Sequence, residues 1–420
     1  MQANVRFEHQ LLAVESEHTV NCMLELQAPS APEGRPRPPL HLALVIDRSG
    51  SMAGPKLEVT RECAAFLVRR LAPTDELALV TYDQDVSLLA PLAPVDQTAL
   101  LPRILTVHPG GQTNLSGGWL KGVEELGRSA GEGPRKVLLL TDGLANVGVT
   151  DPGSLVQMTL GQAEDSNVGT TTIGFGEDFD EDLLTAMADA GRGNAHYAPT
   201  PDAAPAIFAS EFEGLMSLVA QNVSVEIRMS EDVAFLGLLN EFPTVAVPGG
   251  VQVSLGDAYG DERRRIVFQL RVPRLETLGA RRVAEIVLRY VSVGQQIAAH
   301  EVTIPITVNL VSADEAAAVR ADHEVTEEVV VLMSARAQEQ ARGHADRGEF
   351  EAATKLLGDA ASELRRMAPK SSQADELLAQ AEMLEENLQW MSAERYQASS
   401  RKQMHYQSHS SRERKRKRES

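Results

Sequence analysis

The stretch LALVIDRSGSM, residues 42–52, sets an unbroken apolar run directly against Asp47, Ser49 and Ser51. A strand with one wet face alternates apolar and polar residues, so a continuous run implies cover on both faces, as in a parallel sheet. In an open sheet of that kind ligands gather at the carboxyl ends of the strands, and Asp47 stands at such an end. Ser49 and Ser51 alternate with Arg48 and Gly50, so an extended turn can aim one carboxylate and two hydroxyls at a single point. Hard oxygen donors suit Mg2+, Mn2+ or Ca2+ rather than Zn2+. Asp and Ser are also good helix N-caps, so on this segment alone capping of the next helix competes with metal binding. Three protein donors do not fill an octahedron, and a metal site needs others from elsewhere in the chain.

Outward from this strand the rhythm is that of alternating strands and helices. GPKLEVTRECAAFLVRRL carries apolar residues at helical spacing, DELALVTYD is a second strand, and KVLLLTDG, VGTTTIGFG and NAHYAP are further ones, with helices between them. This order predicts an α/β domain with a doubly wound, mostly parallel sheet over residues 39–221. Residues 4–28 and the segments from NVSVEIRM to HEVTIPITVNLV alternate apolar and polar instead, which predicts antiparallel strands. An early strand pair alone would be marginal. The economical arrangement is therefore an antiparallel β-sandwich of residues 1–38 and 222–311, into which the α/β domain is inserted. Residues 29–39, PSAPEGRPRPP, read as a Pro-rich linker. Residues 312–400 are Ala-, Glu- and Leu-rich, with helices expected near 314–342, 347–367 and 372–398, and the basic residues 401–420 are expected to be disordered.

Two distant segments supply what the first lacks. PGGQTNLSGG places Thr113 in a Gly-rich loop before a helix, and LLLTDG ends another apolar strand with Asp142. Together the three segments resemble the von Willebrand factor A domain and its metal-ion-dependent adhesion site. That family has Asp-x-Ser-x-Ser after the first strand, a distant Thr in a Gly-rich loop and an Asp after the fourth strand. The resemblance implies that Asp47, Ser49, Ser51, Thr113 and Asp142 surround a divalent ion, usually Mg2+. It further implies direct contact by the serines, contact by Thr113 in one of two loop states, and Asp142 acting through water or a seryl hydroxyl. The last position would be taken by an Asp or Glu carboxylate of a protein partner. GGQTN is one residue longer than the commoner GGTN. The whole arrangement is similar to bacterial proteins grouped with inter-α-trypsin inhibitor heavy chains and calcium-activated chloride channel-like proteins.

The bulk composition narrows the partners. The net charge is −19, and residues 401–420 carry +6 of it, leaving −25 on the rest. So acidic a body repels nucleic acid and anionic membrane, leaving only the tail 401–420 as a nucleic-acid candidate. No run approaches a membrane span and no secretory signal is visible, so a cytoplasmic protein is expected. The two cysteines, Cys22 and Cys63, read as reduced, partly buried thiols. P-loop, HExxH and GxSxG signatures are missing, so no enzymatic activity is expected. Asp75, Asp83 and Asp85 read as turn residues, Asn146 as shaping the loop after Asp142, and His108 and His196 as ordinary surface or loop residues. These readings favour a metal-dependent protein-binding module; the alternative is a substrate-recruiting subunit of an ATP-driven complex of chelatase or MoxR type.

Overall fold

The computed structural model describes residues 1–31, 37–131, 133–293, 298–413 and the backbone of 415–417. Residues 32–36 of the Pro-rich linker and residues 414 and 418–420 of the basic tail lie outside the described residues. The chain divides into two compact units. The central one comprises Pro32–Leu218 with Val293–Ile297, and the flanking one Met1–Ala31, Val219–Ser292 and Ala298–Ser420.

Three strands come first: β1 (Gln2–Phe7), β2 (Leu11–Ala13) and β3 (His18–Gln27). The central unit follows as β4 (His41–Asp47), α1 (Pro55–Arg70), β5 (Glu76–Tyr82), β6 (Val86–Pro94), α2 (Gln97–Leu105) and α3 (Leu115–Leu126). It continues with β7 (Arg135–Thr141), α4 (Pro152–Asp165), β8 (Val168–Phe175), α5 (Glu181–Ala190), β9 (Arg192–Ala198) and α6 (Ala204–Met216). The sheet order is β6-β5-β4-β7-β8-β9. Pairing is parallel except for the β5–β6 hairpin. Neither β6 nor α2 is expected from the sequence; Pro91 and Pro94 cannot donate to a ladder, and β6 is accordingly an edge strand.

Every residue of β4 is buried. Leu44 sits in register with Leu79 on one side and Leu138 on the other, which is why this strand is apolar without alternation. On one face Leu42, Leu44 and Ile46 join Leu57, Leu67, Leu138 and Phe208 in one apolar cluster. On the side of α3, Gly118 leaves room for the Tyr82 ring, since a Cβ there would come within 2.3 Å of it. The chain leaves β4 for β5 on one side, and β7 lies on the other. The crevice at the ends of β4 and β7 is therefore the topological switch point, where an open α/β sheet binds its ligands.

The flanking unit continues with β10 (Leu218–Met229), β11 (Ala234–Leu238), β12 (Thr244–Val247), β13 (Gly250–Tyr259), β14 (Glu262–Val272), β15 (Gly279–Ser292) and β16 (Ala298–Val311). One sheet runs β1-β3-β14-β11, with β17 (Lys415–Lys417) also on β14; the other runs β12-β13-β10-β15-β16-β2. Leu24 of β3 is in register with Ile266 of β14, and Leu12 of β2 with Leu310 of β16, so the early strands find partners among the late ones. Leu24, Val225, Phe268 and Ile286, drawn from both sheets, share one apolar cluster.

The helices are α7 (Ala313–Ala318), α8 (His323–Asp346), α9 (Phe350–Met367), α10 (Ala374–Leu388) and α11 (Ala398–Glu413). The first expected helix is split between α7 and α8 because Asp322 caps α8, its carboxylate accepting from the Val325 N–H. The third stops at Leu388 rather than near 398. The expectation of disorder from residue 401 is corrected through Glu413, where the chain is α11. Its ordering rests on one apolar anchor and several polar pairs rather than an apolar stripe, a pattern that composition alone does not disclose. Met404 is fully buried among Leu357, Leu364 and Leu384. Gln407 accepts from Gln338 at 2.9 Å and from Asn387 at 3.1 Å, and Arg412 pairs with Glu241 at 2.5 Å. Among the described residues no helix is long and apolar enough to cross a membrane.

Candidate metal centre

Asp47, the last residue of β4, is fully buried. Its Oδ1 accepts from the Ser49 N–H at 2.8 Å and its Oδ2 from the Thr141 hydroxyl at 2.6 Å. The Ser49 and Ser51 hydroxyl oxygens lie 3.2 Å apart. Ser51 donates to Asp142 Oδ1 at 2.7 Å, and Lys56 Nζ donates to Asp142 Oδ2 at 2.5 Å. Capping does not account for these residues. The N-cap of α1 is Gly54, without a side-chain bond, and Ser49, before a short 3-10 turn, makes no side-chain cap bond either.

Thr113 reaches the same place from another loop. Its N–H donates to Asn146 Oδ1 at 2.8 Å, and its carbonyl accepts from the N–H groups of Asn146 and Val147 at 3.1 and 3.2 Å. Asn146 therefore clamps the threonine rather than merely shaping its own loop. The Gly-rich segment is tied to the Asp47 turn by two backbone bonds, Gly110 N–H to the Arg48 carbonyl at 2.6 Å and Gly50 N–H to the Gly111 carbonyl at 2.9 Å. Asp83 braces it further, accepting from the Gly111 N–H at 3.2 Å and pairing with Arg48 at 3.1 Å. Asn114 then caps α3 by accepting from the Gly117 N–H at 3.0 Å. The extra residue in GGQTN is accommodated by Gln84, whose Oε1 accepts from the Gln112 N–H at 3.1 Å.

Gly143, after Asp142, lies against both hydroxyls: a Cβ there would be 3.0 Å from Thr113 Oγ1 and 3.6 Å from Ser51 Oγ, so a side chain would crowd them. Burial pushes the Asp47 carboxyl above its ordinary range. Hydrogen bonds from Thr141 and Ser49 pull it down, and the nearby Asp142 charge pushes it up further. Two buried carboxylates close together disfavour each other's charge, and Lys56 offsets only that of Asp142 directly. The donor set fits a hard divalent ion, since neighbouring oxygens of an octahedron with bonds of about 2.1 Å are about 3 Å apart. Ser49 and Ser51 approach that spacing.

Thr141, Lys56, Asp83 and Asn146 thus support the site without having been singled out as parts of it. Lys56 left a signal: a cation in the first turn of a helix opposes the macrodipole, which asks for a tertiary partner. The other expectations resolve separately. His196, on the edge strand β9, keeps 26% exposure, but it is not idle: its Nε2 meets Glu211 Oε2 at 3.0 Å. Asp75 is fully buried, bonded twice by Arg37 at 2.6 Å and by the Leu40 and Ala72 N–H groups. Cys22 and Cys63 are free and buried, and burial pushes both thiols up.

The sequence profile of the von Willebrand factor type A domain matches residues 41–210. The chain is 26% identical over 266 residues to an uncharacterized protein of Synechocystis, covering 60% of this chain and 62% of that one. It is 32% identical over 175 residues to human inter-alpha-trypsin inhibitor heavy chain H3, covering 39% of this chain and 20% of the relative. It therefore spans less than two thirds of either relative's length. The fold is similar to that of a von Willebrand factor type A protein from Catenulispora acidiphila, with a TM-score of 0.71 at 17% identity over 93% of this chain and 88% of that one. Domains of this type generally mediate protein–protein interactions, often through a metal. With the profile match and the relatives agreeing, residues 41–210 of the chain form a von Willebrand factor type A domain.

Proposed function

We propose that this chain is a divalent-metal-dependent binding module that captures a carboxylate of a protein partner. The observation that supports the reading is that the Thr113 and Ser51 hydroxyls both lie beside Gly143, with the Ser49 hydroxyl 3.2 Å from that of Ser51 and Asp47 bonded to the Ser49 N–H, at the switch point of the sheet. Asp47, Ser49, Ser51 and Thr113 would hold Mg2+, or Mn2+ or Ca2+, directly. Asp142, both of whose oxygens are engaged by Ser51 and Lys56, acts from behind through the Ser51 hydroxyl. A bound ion would supply a positive site for an anionic ligand, and a partner's Asp or Glu provides one at the open position. In this reading the two sheets of the flanking unit form a β-sandwich that carries the inserted domain, and the helices from residue 312 onward serve assembly.

Affinity purification with the full chain as bait tests it. Partners recovered in Mg2+ should be absent in EDTA and absent from Asp47→Ala bait in either buffer. Equal recovery by wild type and Asp47→Ala in Mg2+ refutes the reading.

A further inference from the structure

On the metal-binding reading of this site, on which the inference rests, we infer that Lys56 sets the charge of the centre so that an external carboxylate is needed to complete it. Lys56 occupies the first turn of α1, where the helix dipole disfavours a cation, so the helix does not explain its place. Its Nζ is 2.5 Å from Oδ2 of the fully buried Asp142, while the side chain keeps 23% exposure. Its other acidic neighbour, Asp178 at 3.9 Å, is 73% exposed and solvated, so its pull is weak. At Gly176 a Cβ would lie 3.2 Å from Lys56 Cε and 3.3 Å from Nζ, so the loop after β8 walls the ammonium in beside Asp142.

The charges nearest the crevice are Asp47, Asp142 and Lys56, since Arg48 and Asp83 pair with each other. They sum to −1, so a divalent ion leaves +1, which one partner carboxylate neutralises. Without Lys56 the loaded centre would be neutral: the cation would be held more tightly and the external anion more weakly. Lys56 thus weakens the metal and strengthens the partner. A purely structural lysine predicts the opposite sign for the metal, because its loss would loosen Asp142 and with it Ser51.

Mn2+ titration of the full chain, followed by electron paramagnetic resonance, gives the first readout, and water proton relaxation of the bound Mn2+ against acetate gives the second. Lys56→Gln should bind Mn2+ about tenfold more tightly than wild type and need more acetate to displace the bound water. Lys56→Arg keeps the charge and should match wild type in both. Unchanged or weaker Mn2+ binding by Lys56→Gln overturns the role of Lys56, as does an unchanged acetate dependence. Lys56→Met, which fills the same space without a polar end, should repeat the Gln result, and its disagreement also counts against the role. A wild-type chain that binds no Mn2+ overturns the metal reading itself.

Discussion

Asp47→Asn should melt at a higher temperature than wild type in EDTA and at a lower one in excess Mg2+. Burial raises the Asp47 carboxyl above its ordinary range, and Asp142 adds to the rise. A carboxyl whose folded pKa lies above its unfolded one binds its proton more tightly when folded. The contribution of Asp47 to the stability of the metal-free domain is therefore fully present below the unfolded pKa of about 3.9, and is lost as the pH rises through the folded pKa. Near neutrality the charge is a standing cost, and Asn removes it while keeping an oxygen for the Ser49 N–H. A metal ion reverses the balance. At a hundredfold excess over Kd, binding stabilises the folded state by about 2.7 kcal/mol, several degrees for a unit of this size, and the Asn variant forfeits that gain. Calorimetric melts in EDTA and in Mg2+ check both signs. A variant less stable than wild type in EDTA would show that Asp47 is a structural residue.

Glu211→Ala should cost the central unit about 3–5 kcal/mol, the loss expected when one partner of a buried charged network is removed. Glu211, on α6, is buried; its Oε1 accepts from Thr171 at 2.8 Å and its Oε2 from Asn194 at 2.8 Å and His196 at 3.0 Å. These bonds fasten α6 to β8 and β9. Burial alone would raise the carboxyl. The hydrogen bond and charge of His196, with the Lys136 charge and Asn194, outweigh it and bring it to about 2 from the usual 4.5. The sign is opposite to that of Asp47: the folded pKa is depressed, so the stabilisation is present above the unfolded pKa and is lost as the pH falls from about 4.5 toward 2. Urea unfolding in a Trp390→Phe background, where Trp119 of α3 alone reports on the central unit, measures the loss. The variant should also show a flatter acid limb between those pH values; an unchanged limb would mean that the carboxylate is not held as described.

The central unit was legible because its signals are local and redundant. An unbroken apolar strand followed by Asp47, Ser49 and Ser51 marks a strand end, Asp142 ends another such strand, and Thr113 stands in a Gly-rich loop just before a helix. What supports them was not legible, because it depends on pairs far apart in sequence. Thr141 to Asp47, Lys56 to Asp142, and Asn146 to Thr113 are contacts that no periodicity announces. The edge strand β6 escaped because two prolines interrupt it, and α11 because its anchoring is polar. His196 looked idle because its partner, Glu211, is brought to it only by the packing of α6.

Stoichiometric Mn2+ binding to the 420-residue chain tests the central claim most directly. One ion per chain in the wild type, displaced by Mg2+ and lost in Asp47→Ala with the circular dichroism unchanged, is the predicted result. Equal Mn2+ binding by wild type and a folded Asp47→Ala would place the ion elsewhere and contradict the account.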